Sequence, residues 1–253
     1  MKLGSYLITF MVGLAGASTF AKAEETKLIF TTLSPPTARI AKEWLEPWAN
    51  RVNERGKGVV SLDIRHGLTL ANFGNVYDRV QNDVVQISFA LQTAIGGKFP
   101  ATEVLTLPIW DDHEKAAVAF WKVYKAGGLG AEYDDIVPLF MSPTTQASLH
   151  FSKQPRTLDD LKGIKIMVAS KLTGQMVSAA GGTPLSIPLG EVYEALQRGT
   201  VDGAALGWTS FEPFKLGEVT KFHANVRAGA SANMVFMSKK RFNALSPEAR
   251  KIL

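Results

Sequence analysis

The clearest pattern of apolar and polar positions in this chain lies between residues 189 and 199. Apolar side chains recur there at the i, i+3, i+4 and i+7 spacing of a single helix face: Leu189, Val192, Tyr193 and Leu196. Arg198 in the last turn and Gly199 directly after it are typical of a helix C-terminus. The spacing therefore predicts an amphipathic helix that ends at Gly199.

Short strands and helices alternate upstream of this helix. Thr157 and Asp160 have the spacing of a capping box, which predicts a short helical turn. The following segments predict a strand at residues 165–168, a helix at 172–180 and a strand at 183–187. This alternation predicts parallel β pairing in an open α/β sheet, where ligands bind at the carboxyl ends of strands.

The N-terminal half repeats the same alternation and predicts a second sheet. Its strands are expected at residues 27–32, 59–64 and 85–91, and the remaining strands of the chain at 136–141, 147–152, 204–208 and 233–237. A helix from Thr37 to Gly56 contains Pro47, which should kink it, and its Trp44 and Trp48 lie on the apolar stripe and are expected in the core. Residues 211–216 are expected to be helical.

The first 23 residues have the composition of a secretory signal peptide. Lys2 precedes an apolar run from Tyr6 to Phe20, and Ala21-Lys22-Ala23 forms a small-x-small cleavage site. The apolar run is shorter than the roughly 20 residues that a spanning helix needs, although an uncleaved anchor is the alternative. We therefore expect export to the periplasm with cleavage after Ala23.

Composition excludes several classes of protein. The chain has no cysteine, so it has neither disulfides nor thiolate metal sites. Its formal net charge is +5, but the basic residues are scattered and argue against nucleic-acid binding. The four histidines lack the spacing of metal ligands, and the sequence contains no nucleotide-binding or hydrolase motif. We expect no metal, no cofactor and no catalytic constellation.

Three motifs resemble a known family in their order and spacing. They read LKG-x-KI-x-V from Leu161, GGTP-x-x-x-P from Gly181, and EVYEALQRG-x-VDG from Glu191. Together they resemble the solute-binding subunits of tripartite ATP-independent periplasmic (TRAP) transporters, and the resemblance extends from about Lys27 to the last residue. The last of the three motifs is the most specific.

This resemblance implies a two-lobed α/β fold of the periplasmic-binding-protein type, with mixed sheets, helices on both faces and a ligand cleft between the lobes. It places residues 24–144 and 233–253 in lobe I and residues 145–232 in lobe II, joined by strands near 147–153 and 233–237. The implied function is capture of a small organic acid or related solute and its delivery to TRAP integral membrane subunits. The motion expected for this architecture is a hinged closure of the lobes around the solute. The solute is expected to contain a carboxylate.

The arginines that such proteins use to bind a carboxylate are replaced in this chain. The resemblance aligns the first with Met167 and the second with Ala147, and it aligns a frequent asparagine with Leu206. We therefore expect a more apolar cleft with a few polar groups. The candidate ligand-binding residues are Phe73, Gln92, Thr145, Gln146, Met167, Leu206, Trp208, Phe211 and Asn233. For Met167 and Leu206, a core position is the alternative, because a shift of one residue in register would reverse the direction of either side chain.

Other interpretations remain open at this point. The loop around Phe73 either presents backbone N–H groups to a ligand at a helix start or is an ordinary solvated loop. A secreted hydrolase using Asp111 or Glu191 is the alternative from another class, although Glu191 suits a helix start without any catalytic role. The chain ends within an apparent helix after Ser246-Pro247, so a truncated remnant that cannot bind is the third interpretation.

Overall fold

The computed structural model describes residues 24–253; the predicted signal peptide lies outside the described residues. Strands within this range are β1 (Thr26–Thr32), β2 (Val60–His66), β3 (Ile87–Leu91), β4 (Ile136–Pro143), β5 (Ser148–Phe151), β6 (Lys165–Val168), β7 (Thr183–Leu185), β8 (Gly203–Leu206), β9 (Phe222–Ala224) and β10 (Ala232–Ser238). The α-helices are α1 (Glu46–Arg55), α2 (Val76–Gln81), α3 (His113–Lys125), α4 (Lys171–Ala179), α5 (Val192–Gln197), α6 (Leu216–Val219), α7 (Lys239–Ala244) and α8 (Pro247–Ile252).

These strands form two mixed sheets of five strands each. The first sheet has the order β2-β1-β3-β10-β4, in which β1 is parallel to β2 and β3 while β10 is antiparallel to β3 and β4. The second sheet has the order β7-β6-β8-β5-β9, in which β6 is parallel to β7 and β8 while β5 is antiparallel to β8 and β9. The predicted α/β class with mixed sheets is confirmed.

Apolar side chains cover both faces of each sheet. In β10, Met234 and Phe236 pack into one core cluster, whereas Val235 and Met237 pack into the cluster on the opposite face. This is the alternation that a strand buried on both sides must show. Val80 of α2 belongs to the first cluster and Val52 of α1 to the second, so helices lie on both faces of this sheet, as expected.

Two short crossing segments connect the sheets. Residues 144–147 lead from β4 to β5, and residues 225–231 lead from β9 to β10. They run side by side, because Thr144 N–H donates to the Ser231 carbonyl (2.7 Å) and Ala228 N–H donates to the Ala147 carbonyl (2.9 Å). The strands near 147–153 and 233–237 each pair within one sheet, so these two segments form the actual junction.

The helix expected from Thr37 to Gly56 is divided at Pro47. A π-helical turn spans Ala41–Leu45, and the regular α1 begins at Glu46 with Pro47 in its first turn. Proline fits this position because the first N–H groups of a helix need no partner within it. The π-helical turn directly before α1 thus accommodates the backbone hydrogen bond that Pro47 cannot donate.

One predicted element is wrong. Residues 211–215 form turns rather than a helix, and Lys215 has a left-handed conformation with φ of 51°, so of the predicted segment only Leu216, the first residue of the short α6, is helical. Pro213 interrupts the segment, since it has no N–H to donate to a helical ladder. Among the helices within residues 24–253, none has the length and hydrophobicity needed to cross a bilayer.

Candidate functional site

A cleft of about 760 Å³ opens between the two sheets. Its walls come from segments that follow the carboxyl ends of strands: residues 33–35 after β1, Ala169 after β6, and residues 207–214 after β8. The crossing residues Thr144 and Thr145 also line it. This is the position at which open α/β sheets bind ligands, and the volume suits a small organic molecule.

Aromatic side chains make up much of the lining. The first-sheet side contributes Trp44 and Phe140, whose ring centroids are 4.1 Å apart, and the second-sheet side contributes Trp208 and Phe211, whose centroids are 4.7 Å apart. Phe73, Phe89 and Phe214 complete this set. Aromatic faces on both walls can enclose a flat or apolar solute.

A buried histidine, His150, packs against the aromatic pair of Trp208 and Phe211. His150 on β5 is fully buried, and its ring contacts Trp208 and Phe211 edge-on at 4.9 and 4.6 Å between centroids. Its Nε2 lies 3.0 Å from the Leu206 carbonyl oxygen, which requires Nε2 to donate. Burial lowers the pKa of His150 to about 4, so the ring is neutral near pH 7.

Neutral polar groups line the cleft where the two sheets meet. They belong to Ser142, Thr144, Thr145, Thr173, Ser231 and Asn233. The Oγ1 atom of Thr145 is buried and finds no hydrogen-bond partner among the described residues. Gly207 lies against it, since a Cβ added to this glycine would stand 3.1 Å from Thr145 Oγ1. The close approach of these two segments therefore depends on a residue without a side chain.

The charged lining residues lie mainly on one segment. Arg39 precedes the π-helical turn and Glu43 lies within it, and Arg39 Nε donates to Glu43 Oε2 at 2.7 Å. Hydrogen bonding to Glu43 is the main cause that raises the pKa of Arg39. His113 and Glu212 also line the cleft.

Six of the nine predicted ligand-binding residues lie on the cleft. They are Phe73, Thr145, Leu206, Trp208, Phe211 and Asn233. Trp208 is 45% exposed despite its size, because the 3-10 turn after β8 projects it from the sheet into the open space. Leu206 is buried but contributes to the cleft wall.

Gln92 and Gln146 lie elsewhere. Gln92 is buried in the 3-10 turn after β3, where its Nε2 donates to the Tyr133 hydroxyl oxygen. Gln146 donates through Nε2 to the carbonyl oxygens of Leu107 and Trp110, both at 3.3 Å. Each amide is held by protein groups beside the cleft rather than in it.

Met167 does not face the cleft, so the alternative interpretation of a core position is the one that the structure supports. Its side chain is 1% exposed and packs with Val192 and Leu196 of α5 and with Leu216 of α6. Its strand neighbours Ile166 and Val168 pack on the opposite face of the sheet. Both faces of β6 are covered, so the alternating pattern alone could not reveal that neither leads to the cleft.

The loop around Phe73 differs from its first interpretation. Asn72 Oδ1 accepts hydrogen bonds from the backbone N–H groups of Gly74 and Asn75 at 3.0 and 3.1 Å. These two donors are therefore already satisfied within the loop. Phe73 contributes its ring to the cleft instead.

Several lining residues were not among the predicted ones. Trp44 was expected in the core, but it both packs against the core of the first sheet and lines the cleft. Arg39 lies about one turn before Trp44 on the same helix face. A charged residue followed by an aromatic one just after β1 was the sequence signal that could have placed both on the cleft. Phe140 and Phe214 carried no such signal, because isolated aromatic residues are equally common in cores.

The residues considered for hydrolysis do not form a site. Asp111 and Glu191 are both exposed, and neither lines the cleft. Within residues 24–253, no three His, Cys, Asp or Glu side chains are grouped as metal ligands would be. What the arrangement can do chemically is enclose and bind a small molecule.

Comparison with known proteins agrees with this geometry. Residues 31–253 match the model of a family described as bacterial extracellular solute-binding protein, family 7. A curated solute-binding protein from Albidiferax ferrireducens is 26% identical over 81% of this chain, which spans 62% of that relative's length. The 2,3-diketo-L-gulonate-binding periplasmic protein of Escherichia coli K12 is 25% identical over 100% of this chain and 78% of its own length.

Solved structures share the fold. A TRAP solute-binding protein from Rhodoferax ferrireducens T118, in complex with copurified benzoate, is 27% identical with a TM-score of 0.83 over 90% of this chain and 73% of that one. A marine metagenome TRAP solute-binding protein specific for aromatic acid ligands, in complex with 3-hydroxybenzoate, is 24% identical with a TM-score of 0.84 over 91% of this chain and 74% of that one. The resemblance to TRAP solute-binding subunits and the expected two-lobed fold are confirmed.

Proposed function

Because the chain belongs to family 7 of the bacterial extracellular solute-binding proteins, we propose that it captures a small organic acid and delivers it to the integral membrane subunits of a TRAP transporter. The observation that carries this proposal is the cleft of about 760 Å³ at the carboxyl ends of the parallel strands. Its position between two sheets suits a protein that encloses its ligand.

The lining favours an acid with an aromatic or otherwise apolar body. Trp44 with Phe140 and Trp208 with Phe211 present rings from opposite walls, and neutral polar groups such as Thr145 and Asn233 lie between them. The benzoate found in the Rhodoferax ferrireducens relative supports this class of solute. A highly hydroxylated sugar acid would leave many hydroxyl groups against apolar walls, which is unfavourable.

Capture requires the walls to approach each other. We propose that residues 24–144 and 233–253 move as one lobe against residues 145–232, with the paired crossing segments as the hinge. Only a few backbone hydrogen bonds join these segments, including Thr144 N–H to Ser231 O and Ala228 N–H to Ala147 O. Small changes of backbone angles there would close the cleft without disturbing either sheet.

The proposed site of action is the periplasm, reached through cleavage of the signal peptide after Ala23. The proposed role is binding and release without turnover, which fits the exposed positions of Asp111 and Glu191 away from the cleft. Mass spectrometry of the protein recovered from the periplasm tests the first point, since cleavage leaves Glu24 as the N-terminal residue. Unchanged ligand recovered after long incubation with the protein tests the second.

A ligand screen tests the function. The purified chain is mixed with benzoate, 3-hydroxybenzoate, mandelate, glucuronate and neutral aromatic amides, and its thermal unfolding is followed. A true ligand at a hundredfold excess over its dissociation constant stabilises the folded state by about 2.7 kcal/mol. We expect the aromatic acids to give the largest shifts. If no acid shifts the transition of protein that circular dichroism shows to be folded, the proposed function is wrong.

A further inference from the structure

The cleft offers few groups that could pair with an acid. Among the described residues that line it, Arg39 is the only arginine or lysine. The two positions at which the family resemblance expects an arginine hold Met167, which is buried in the core, and Ala147. An acid enclosed without a partner would bind poorly, because burying an unpaired charge is costly.

The guanidinium of Arg39 has its binding edge free. Glu43 Oε2 is bonded to Nε, and neither of the two Nη atoms makes a hydrogen bond to the residues that the structure describes. The Nη pair is an edge that can hold a carboxylate through two parallel hydrogen bonds. Glu43 therefore orients the group without occupying that edge.

The ion pair between Arg39 and Glu43 is weak, so Arg39 can bind a solute at little cost in stability. Its side chain is 77% exposed and that of Glu43 is 60% exposed, so their ion pair is solvated and contributes little to stability. Trp44 follows Glu43 directly and lines the same wall, which places an aromatic surface beside the charge. An aromatic acid has the same two parts, a ring and an adjacent anionic group.

We propose that Arg39 is the residue that recognises the acidic group of the solute, in place of the arginine absent at Met167. The carboxylate binds to Nη1 and Nη2 at the mouth of the cleft while the ring enters between the aromatic walls. Glu212, which lines the opposite wall, competes with the solute for the same guanidinium. This inference rests on the proposed function, because it concerns how the same cleft selects an acid.

The test compares benzoate with benzamide, which has the same shape without the charge. Isothermal titration is carried out on the wild type, Arg39→Gln, Glu212→Gln and Arg65→Gln. Arg65 is a matched control: it is exposed, forms a 2.7 Å ion pair with Asp63, and does not line the cleft. We expect Arg39→Gln to weaken benzoate binding by about tenfold or more, while benzamide changes less than about twofold.

Two further results are expected if the inference is right. Glu212→Gln strengthens benzoate binding because it removes a competing carboxylate, and Arg65→Gln changes neither ligand. Equal ratios of benzoate to benzamide affinity in the wild type and in Arg39→Gln overturn the role of Arg39 but leave the proposed function standing. If the wild type binds none of the acids in the screen, both the proposed function and this inference are overturned.

Discussion

His150 and His223 lie directly opposite each other on β5 and β9, with their Nδ1 atoms 3.1 Å apart. Because Nε2 of His150 donates to the Leu206 carbonyl, its Nδ1 carries a lone pair, and His223 must donate to it. This chain of hydrogen bonds links the edge strand to the backbone that carries Leu206 into the cleft. It also holds the edge of the His150 ring against Trp208.

This arrangement predicts a loss of stability in acid. The pKa of His150 is lowered to about 4 from an ordinary value of 6.5, chiefly by burial. Between these two pH values His150 is protonated in the unfolded chain but neutral in the folded protein. The free energy of unfolding therefore falls as pH decreases from about 6.5 to about 4. Urea unfolding near pH 7.5 and near pH 5 should give free energies of unfolding that differ by about 2 kcal/mol from this residue alone.

His150→Gln isolates that contribution, since glutamine can still donate to the Leu206 carbonyl but does not titrate in this range. The variant is expected to lose less stability than the wild type on acidification. Val177→Ala is the control, because it opens a cavity in the apolar cluster beneath the second sheet without touching a titratable group. An equal acid-induced loss in the wild type and in His150→Gln would contradict the prediction.

A second prediction concerns Trp208. Trp208 is 45% exposed and its ring packs at a tilt against Phe211, so its removal should weaken ligand binding more than folding. Trp208→Ala should raise the dissociation constant for benzoate by about five- to tenfold, which corresponds to about 1 kcal/mol of lost aromatic contact. Titration calorimetry measures the affinity, and urea unfolding measures the stability.

Trp208→Phe should recover most of that affinity, and Val226→Ala is a control of similar exposure outside the cleft. If Trp208→Ala binds benzoate as tightly as the wild type, Trp208 is a surface residue without a role in binding.

The sequence predicted elements well where local chemistry determines them. Strand β6 has the predicted bounds of Lys165–Val168, and the capping box of Thr157 and Asp160 is present, because both depend on residues a few positions apart. The helix predicted at 211–216 was wrong over residues 211–215, since the apolar residues suit a helix but Pro213 and the left-handed Lys215 do not. Helical periodicity carries no information about a backbone interrupted in this way.

The direction of individual side chains was harder to predict than their position in the chain. Gln92, Gln146 and Met167 all lie near strand ends that lead to the cleft, yet each side chain is held by neighbours elsewhere in the protein. Those neighbours come from segments 20 to 50 residues distant, so only the tertiary structure shows them. Trp208 does line the cleft, where Gly207 marks the exit from its strand, and its contact with a solute stays a prediction.

A third prediction follows from the position of Met167. Met167→Arg would place a charge in the apolar cluster that contains Val192, Leu196 and Leu216. We expect a loss of about 3 kcal/mol or more in the free energy of unfolding, measured in urea. Met167→Leu should cost less than about 1.5 kcal/mol, because it preserves volume and polarity.

The alternative outcome for Met167→Arg is informative. If the variant keeps the stability of the wild type and binds benzoate more tightly, the long side chain has reached the cleft past Leu206, which belongs to the same cluster. That result would restore the family's arginine position to the binding site and would contradict the core assignment.

The last prediction uses the unpaired hydroxyl of Thr145. Its Oγ1 is buried beside Gly207 without a hydrogen-bond partner among the described residues, and such an atom destabilises the free protein. Thr145→Val replaces it with a methyl group of similar size and should therefore raise the free energy of unfolding by about 1 kcal/mol. If the hydroxyl is one of the polar groups that hold the solute, the same variant should bind benzoate several-fold more weakly. Thr144→Val is the matched control, because Thr144 Oγ1 donates to the Thr145 carbonyl and accepts from Ser231 N–H, so its loss should reduce stability instead. Higher stability of Thr145→Val with unchanged affinity would show that Thr145 only packs between the crossing segments, and it would remove this residue from the binding site.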